Sequence, residues 1–164
     1  MIEIRTGDGS SKQYPKGVPV HQVLEDNERL APGDTVAARF NGSLVDLQRP
    51  LEEDGELGAI SMESQEGLEI LRHSTSHVMA CAVQELFPEA KVTIGPAIEN
   101  GFYYDFDRPE AFTPDDLILI EKRMKEIISR DEPFDRLVLP REEVLGLFRE
   151  KGEDYKLELL EEIP

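Results

Sequence analysis

Two of the chain's three histidines, His73 and His77, stand four residues apart in Leu71-Arg72-His73-Ser74-Thr75-Ser76-His77. On a helix that spacing places both imidazoles on one side, one turn apart. Imidazole exchanges its proton near neutral pH, so such a pair can position a water, accept a proton or chelate a metal. The same spacing also describes two polar residues on a solvated face. The pair alone leaves both readings open.

The element that must carry the pair is a helix predicted from about Ser64 to Phe87. Leu68, Leu71, Val78, Met79, Ala82, Val83 and Leu86 recur at helical spacing and define its expected core face. The histidines fall on the other side with Ile70, Ala80, Cys81 and Gln84. Imidazole mixed with small and apolar groups suits the wall of a cleft better than open water.

The 164-residue chain is long enough for one ordinary domain or two small ones. It has no apolar run long enough to span a bilayer, and Met-Ile-Glu-Ile-Arg is no signal peptide. A single cysteine excludes an internal disulfide and makes the cytoplasm the default compartment. The formal net charge of −17 repels polyphosphate, so DNA and non-specific nucleic-acid binding are not expected. Residues 1–62 hold 6 basic and 11 acidic groups and residues 63–164 hold 12 and 24, so the acidity is no tail.

The first part reads as strands at residues 2–5 and 12–14, a helix from Val20 to about Leu30 stopped by Pro32-Gly33-Asp34, and a strand from Thr35 to Phe40. Asn41-Gly42 is a hairpin turn, Ser43 to Val45 the return strand, and Leu57 to Ser61 a last strand. This is the order of a β-grasp, ubiquitin-like module. Its His21 reads as an ordinary surface or boundary residue.

Met62 to Gly67 forms a junction with Ser64 as N-cap, and the histidine helix ends near Pro88. Lys91 to Asp107 reads as a hairpin around Asn100-Gly101, its first strand interrupted by a bulge at Gly95-Pro96. Thr113-Pro114-Asp115-Asp116 starts a helix with a buried stripe of Leu117, Ile120, Met124, Ile127 and Ile128. A strand from Phe134 to Leu139, a helix from Arg141 to Lys151 closed by Gly152, and a short element from Tyr155 that stops at Pro164 complete the prediction.

His73-Ser74-Thr75-Ser76-His77, Thr93-Ile94-Gly95-Pro96, Gly101-Phe102-Tyr103-Tyr104-Asp105 and Tyr155-Lys156 together resemble the editing domain of bacterial threonyl-tRNA synthetases. The module before them resembles the TGS domain of the same family. The fold expected is therefore α+β: a TGS-like β-grasp domain over residues 1–62, then an α+β editing domain, cut short, over residues 63–164. The histidine pair alone would also fit alanyl-type editing proteins, which lack a leading TGS module.

The resemblance implies hydrolysis of serine wrongly esterified to threonine tRNA. One methyl separates the two amino acids, which a binding pocket discriminates by only ~1–3 kcal/mol, so a second hydrolytic site removes the error. By similarity, His73, His77 and Lys156 are the catalytic group. Gly95, Pro96 and Tyr104 are the substrate-binding wall. The implied partner is the acceptor end of tRNA(Thr) carrying a seryl ester, with homodimerisation and ATP binding expected only of a full-length enzyme. On residue type alone, Lys156 equally suits a solvated helix face, and Tyr103 and Tyr104 equally suit strand packing.

The family's Cys-x-x-x-His segment is missing here, so half of the expected site and the whole aminoacylation domain are absent. No cofactor is expected. Zinc at His73 and His77 is disfavoured, because Cys81 at i+8 drifts about 80° around the axis from His73. Two rival readings stand beside this one: a non-catalytic tRNA- or protein-binding TGS module with truncated scaffold, and a free-standing zinc hydrolase of the alanyl editing type.

Overall fold

The computed structural model describes residues 1–27, 34–132 and 137–163. They divide into two compact units, Met1–Arg72 and His73–Pro164. The division falls inside the histidine helix, a little after the Met62 junction marked by the sequence.

In the first unit, alternation of apolar and polar residues makes β1 (Ile2–Thr6), which buries Ile2, Ile4 and Thr6 on one face. The Thr6 carbonyl accepts the Gly9 amide at 2.8 Å, and Gly9 takes a positive φ of 82° to turn the chain into β2 (Ser11–Tyr14). β3 (Val18–Pro19), α1 (Val20–Glu25), β4 (Thr35–Phe40) and β5 (Ser43–Val45) follow. The β4–β5 turn has Asn41 and Gly42 at φ of 48° and 80°, the paired left-handed conformation for which Asn-Gly is suited. β6 (Pro50–Leu51) pairs with β3, and β7 (Gly55–Ser61) enters the main sheet.

That sheet has the order β2-β1-β7-β4-β5, antiparallel throughout except for the central β1–β7 pair. With α1 supplying Val20, Val23 and Leu24 to a core shared with Ile4, Leu51 and Leu57, this is the β-grasp arrangement. α1 ends at Glu25 with Asp26 as its C-cap, earlier than the expected Leu30, and residues 28–33, including the expected stop at Pro32-Gly33, lie outside the described residues.

α2 (Gln65–Leu86) starts where Ser64 Oγ accepts the Gly67 amide at 3.0 Å, as its capping role requires. The expected hairpin is present as two short ladders: β8 (Lys91–Val92) pairs with β11 (Phe106–Asp107), and β9 (Ala97–Ile98) pairs with β10 (Gly101–Phe102). Residues 93–96 break the first strand where Gly95-Pro96 predicted it. The break is bridged by Asp105 N–H donating to the Ile94 carbonyl at 2.9 Å. α3 (Pro114–Ser129) opens with a full capping box between Thr113 and Asp116. α4 (Arg141–Glu150) ends at Gly152, φ 67°, and α5 (Asp154–Glu162) follows.

The second core gathers Ala82, Val83, Ala90 and Ile120, with Met79, Phe106 and Phe112 packed against it. Three expectations are corrected here. Leu68 and Leu71 are exposed, because this core begins only at Met79, whereas Ala80, assigned to the open face, is 5% exposed. On α3 only Ile120 is buried, and Leu117 and Ile128 lie 59% and 61% exposed, because Leu117 and Ile128 fall outside the packed cluster. Leu137 to Leu139 carry no strand, and Leu137 and Val138 are exposed. The start of that predicted strand, Phe134 to Arg136, and the stop at Pro164 lie outside the described residues. Among the described residues, no helix is long and apolar enough to cross a membrane.

α2 and α3 are also joined by charge. Glu85 accepts from Arg130 at 2.9 and 3.1 Å and from Arg123 at 2.7 Å. Those hydrogen bonds hold its carboxyl down at about 2, against an ordinary 4.5. A depressed carboxyl stabilises the fold above its unfolded value and loses that contribution as pH falls toward its folded one. Urea unfolding should therefore find Glu85→Gln less stable than wild type at pH 6, with the gap closing between pH 4.5 and about 2.

Candidate functional site

The helical spacing does bring the histidines together. His73 and His77 Nε2 atoms lie 3.1 Å apart, with the rings edge-to-face at 4.6 Å and 87°. A hydrogen bond between two Nε2 atoms needs a proton on one and a bare lone pair on the other. The pair thus presents one imidazole in acceptor form.

One turn of helix between them contains Ser76, which is fully buried. Its hydroxyl lies 2.7 Å from the His73 carbonyl and 3.1 Å from the Gly95 carbonyl. One hydroxyl proton serves both acceptors, and the second of them belongs to the broken strand of the hairpin. Ser76 therefore fixes the bulge against the histidine turn.

Gly95 is required there for space. A β-carbon on Gly95 would fall within the Tyr104 ring, whose atoms are its nearest neighbours. Tyr104 is half-buried, stacks on Phe106 at 5.0 Å and stands edge-on to His77 at 6.4 Å. Its neighbour Tyr103 points the other way in burial, 46% exposed, as strand alternation requires. Of the two tyrosines, Tyr104 is the one beside the histidines. Pro96 is exposed next to Gly95.

Lys156 lies in the first turn of α5. That turn is anchored to the hairpin by Lys91–Asp154 at 2.6 Å and by Tyr155 Oη donating to Asp107 at 2.8 Å. Lys156 Nζ meets Glu153 Oε2 at 3.1 Å, and Glu153 Oε1 accepts from Gln84 Nε2 of α2 at 3.3 Å. Gln84 lies seven residues after His77, on the same helical side.

The electrostatics agree with this placement. Burial first, then His73 and the Lys156 charge, push the His77 pKa below its ordinary value. A lowered value keeps His77 neutral, and able to accept a proton, to more acid pH than a free histidine. Burial and the Glu153 charge raise the Tyr104 hydroxyl, which stays protonated and a donor.

Beside His77 lies an open groove of ≈ 350 Å³ lined by Val78, Cys81, Ile127 and Ile128, with Asp131 and Glu132 at its edge. Burial and Glu85 raise the exposed Cys81 thiol, so it is held in its protonated form. Among the described residues, no group of three or more His, Cys, Asp or Glu side chains could hold a metal ion.

Of the residues singled out from sequence, the second unit brings His73, His77, Gly95 and Tyr104 side by side, and Lys156 near enough for its charge to act on His77. Ser76 and Glu153, which contact these residues, were not singled out, and Gln84 was placed on the histidine face without a role. The available signals were a serine inside the histidine turn, a glutamine at i+7 from His77, and a Glu-x-x-Lys step at the start of α5.

Fold and site together define an α+β chain with an imidazole pair beside a broken hairpin. No protein-family model matches the chain. Over its whole length it is similar to the N-terminal region of bacterial threonine–tRNA ligases, at 45–49% identity. The enzyme of Syntrophomonas wolfei is 49% identical over 164 residues, covering 100% of this chain and 26% of the relative. The enzymes of Phenylobacterium zucineum and Laribacter hongkongensis are each 48% identical, again over 100% of this chain and 25% and 26% of theirs. The chain thus spans about a quarter of the length of these curated relatives.

Because a β-carbon at Gly95 must displace the Tyr104 ring, Gly95→Ala should cost ~1–3 kcal/mol in urea unfolding. Adding Tyr104→Ala should recover most of that loss, giving a coupling of at least ~1 kcal/mol in the double-mutant cycle.

Proposed function

We propose that the second unit carries the imidazole side of an editing site that hydrolyses the seryl ester of threonine tRNA, and that the first unit is a TGS-like β-grasp module over about residues 1–62. The observation that carries the reading is the His73–His77 contact, 3.1 Å between Nε2 atoms, with Tyr104 and Lys156 brought to it. The likeness to threonine–tRNA ligases supports tRNA(Thr) as the partner and the cytoplasm as the compartment of this reading.

In this reading a water bound at His77 attacks the ester carbonyl. The imidazole lone pair that the His73–His77 hydrogen bond leaves free takes the water's proton as the carbon–oxygen bond forms, and negative charge develops on the carbonyl oxygen. Lys156 supplies the cation that stabilises that charge, and Tyr104 supplies a hydroxyl donor. The tetrahedral carbon then expels the ribose oxygen of the terminal adenosine, which receives the proton from the imidazolium. Serine and uncharged tRNA result. Gly95 and Pro96 form the wall against which the serine side chain lies, and crowding there rejects the extra methyl of threonine. No metal is required for these steps, since imidazole moves the proton and ammonium meets the charge.

Single-turnover deacylation of Ser-tRNA(Thr) and Thr-tRNA(Thr) tests this. Wild type should release serine faster than threonine, His73→Ala should lose ~10²–10⁴-fold in rate, and a chelator should leave the rate unchanged. Equal hydrolysis of both esters, or full activity in His73→Ala, would refute the reading, and loss of activity with the chelator would restore the zinc reading. With the His77 pKa lowered, the rate should hold as pH falls past ~6.5 and decline only below it.

A further inference from the structure

We propose that Glu153 is a positioning residue for this hydrolysis: its carboxylate bridges Lys156 on α5 to Gln84 on α2 and so holds the lysine ammonium on the histidine side of α2. The inference rests on the hydrolytic reading above.

A lysine is a point charge on a four-carbon stem, and by itself it would be held by water. Lys156 is instead held from one side by Glu153 Oε2 at 3.1 Å, with its ammonium also over the Phe148 ring at 5.6 Å. The Glu153 side chain is only 13% exposed, against 37% for Lys156. The pair is therefore partly shielded, unlike the chain's open i,i+4 pairs such as Lys122–Glu126, 76% and 48% exposed.

Glu153 is itself fixed at three points. Its amide donates to the Phe148 carbonyl at 3.0 Å, and its carbonyl accepts the Lys156 and Leu157 amides at 3.1 Å each, closing the first turn of α5. Its second carboxylate oxygen takes the Gln84 amide at 3.3 Å. Asp154 and Tyr155 are spent on Lys91 and Asp107 of the β8–β11 ladder. Glu153 ties this turn to α2 at Gln84, on the side that carries the histidines. The charge of Lys156 reaches His77. The charge of Glu153 reaches Tyr104. Those two effects fit a carboxylate and ammonium standing between α2 and the hairpin.

The test reads the His77 imidazole by NMR titration alongside deacylation of Ser-tRNA(Thr). The groups facing His77 are His73, Lys156 and Tyr104, with Cys81, Asp131 and Glu132 around the adjoining groove. Lys156→Met should raise the His77 midpoint by removing the cation. Glu153→Gln, which keeps the size but has one acceptor oxygen in place of two and no charge, should raise it too, because the released ammonium swings into solvent. The double variant should match Lys156→Met, and kcat should fall between ~10- and 100-fold in each.

A lower His77 midpoint in Glu153→Gln would mean the carboxylate acts only as a compensating charge. An unchanged midpoint would mean it is structural. Either overturns the proposal. If wild type fails to hydrolyse Ser-tRNA(Thr), the hydrolytic reading falls, whereas the titration still decides whether Glu153 places Lys156. Should Glu153→Gln not fold, Gln84→Met frees the same carboxylate from α2 and must raise the midpoint likewise.

Discussion

The buried hydroxyl of Ser76 is the constraint on which the site depends. A helix turn carrying two histidines could face solvent and do nothing. Here its interior serine reaches the carbonyl of Gly95, in the one stretch where the hairpin's ladder is broken. The hydroxyl already has the His73 carbonyl of its own turn at 2.7 Å, so its reach to Gly95 at 3.1 Å is a second contact that ties this turn to the bulge. Everything near the histidines follows from that tie. Gly95 leaves room for the Tyr104 ring, Tyr104 stands against His77, and the outer ladder of the same hairpin anchors the first turn of α5.

The chemistry follows from how that enclosure treats charge. Partial burial works against the His77 imidazolium, and the nearby lysine works in the same direction. A general base must be unprotonated at working pH and still basic enough to take a proton. Lowering a histidine modestly meets the first condition and retains the second. The same surroundings keep the Tyr104 hydroxyl protonated, so a donor stands beside the acceptor. In an acidic chain of net charge −17, Lys156 is the cation that this space keeps close to His77.

Much of this was legible in the sequence wherever a local rule acts alone. Asn41-Gly42 sets a turn because both residues tolerate positive φ, and Thr113 with Asp116 sets a helix start because the two satisfy each other's orphan amides. The i,i+4 histidines met because a helix fixes their spacing. What failed depended on packing. Periodicity gives the phase of a helix, but the centre of its buried arc depends on what covers it. Ser76, which meets the hairpin at Gly95, and Ala80 are buried, while Leu68 and Leu71 are exposed. The stripe on α3 shrank for the same reason. Lys156 had no local signal of its own and was placed by resemblance. Glu153 and Gln84 lie 69 residues apart, and no spacing rule connects them.

The most direct test of the account is binding of a non-hydrolysable amide analogue of seryl-adenosine, followed by NMR of the whole chain. The account predicts shifts confined to His73, His77, Gly95, Tyr104 and Lys156, with a weaker response to the threonyl analogue. Shifts confined to the first unit, or equal responses to the two analogues with none at the histidines, would contradict it.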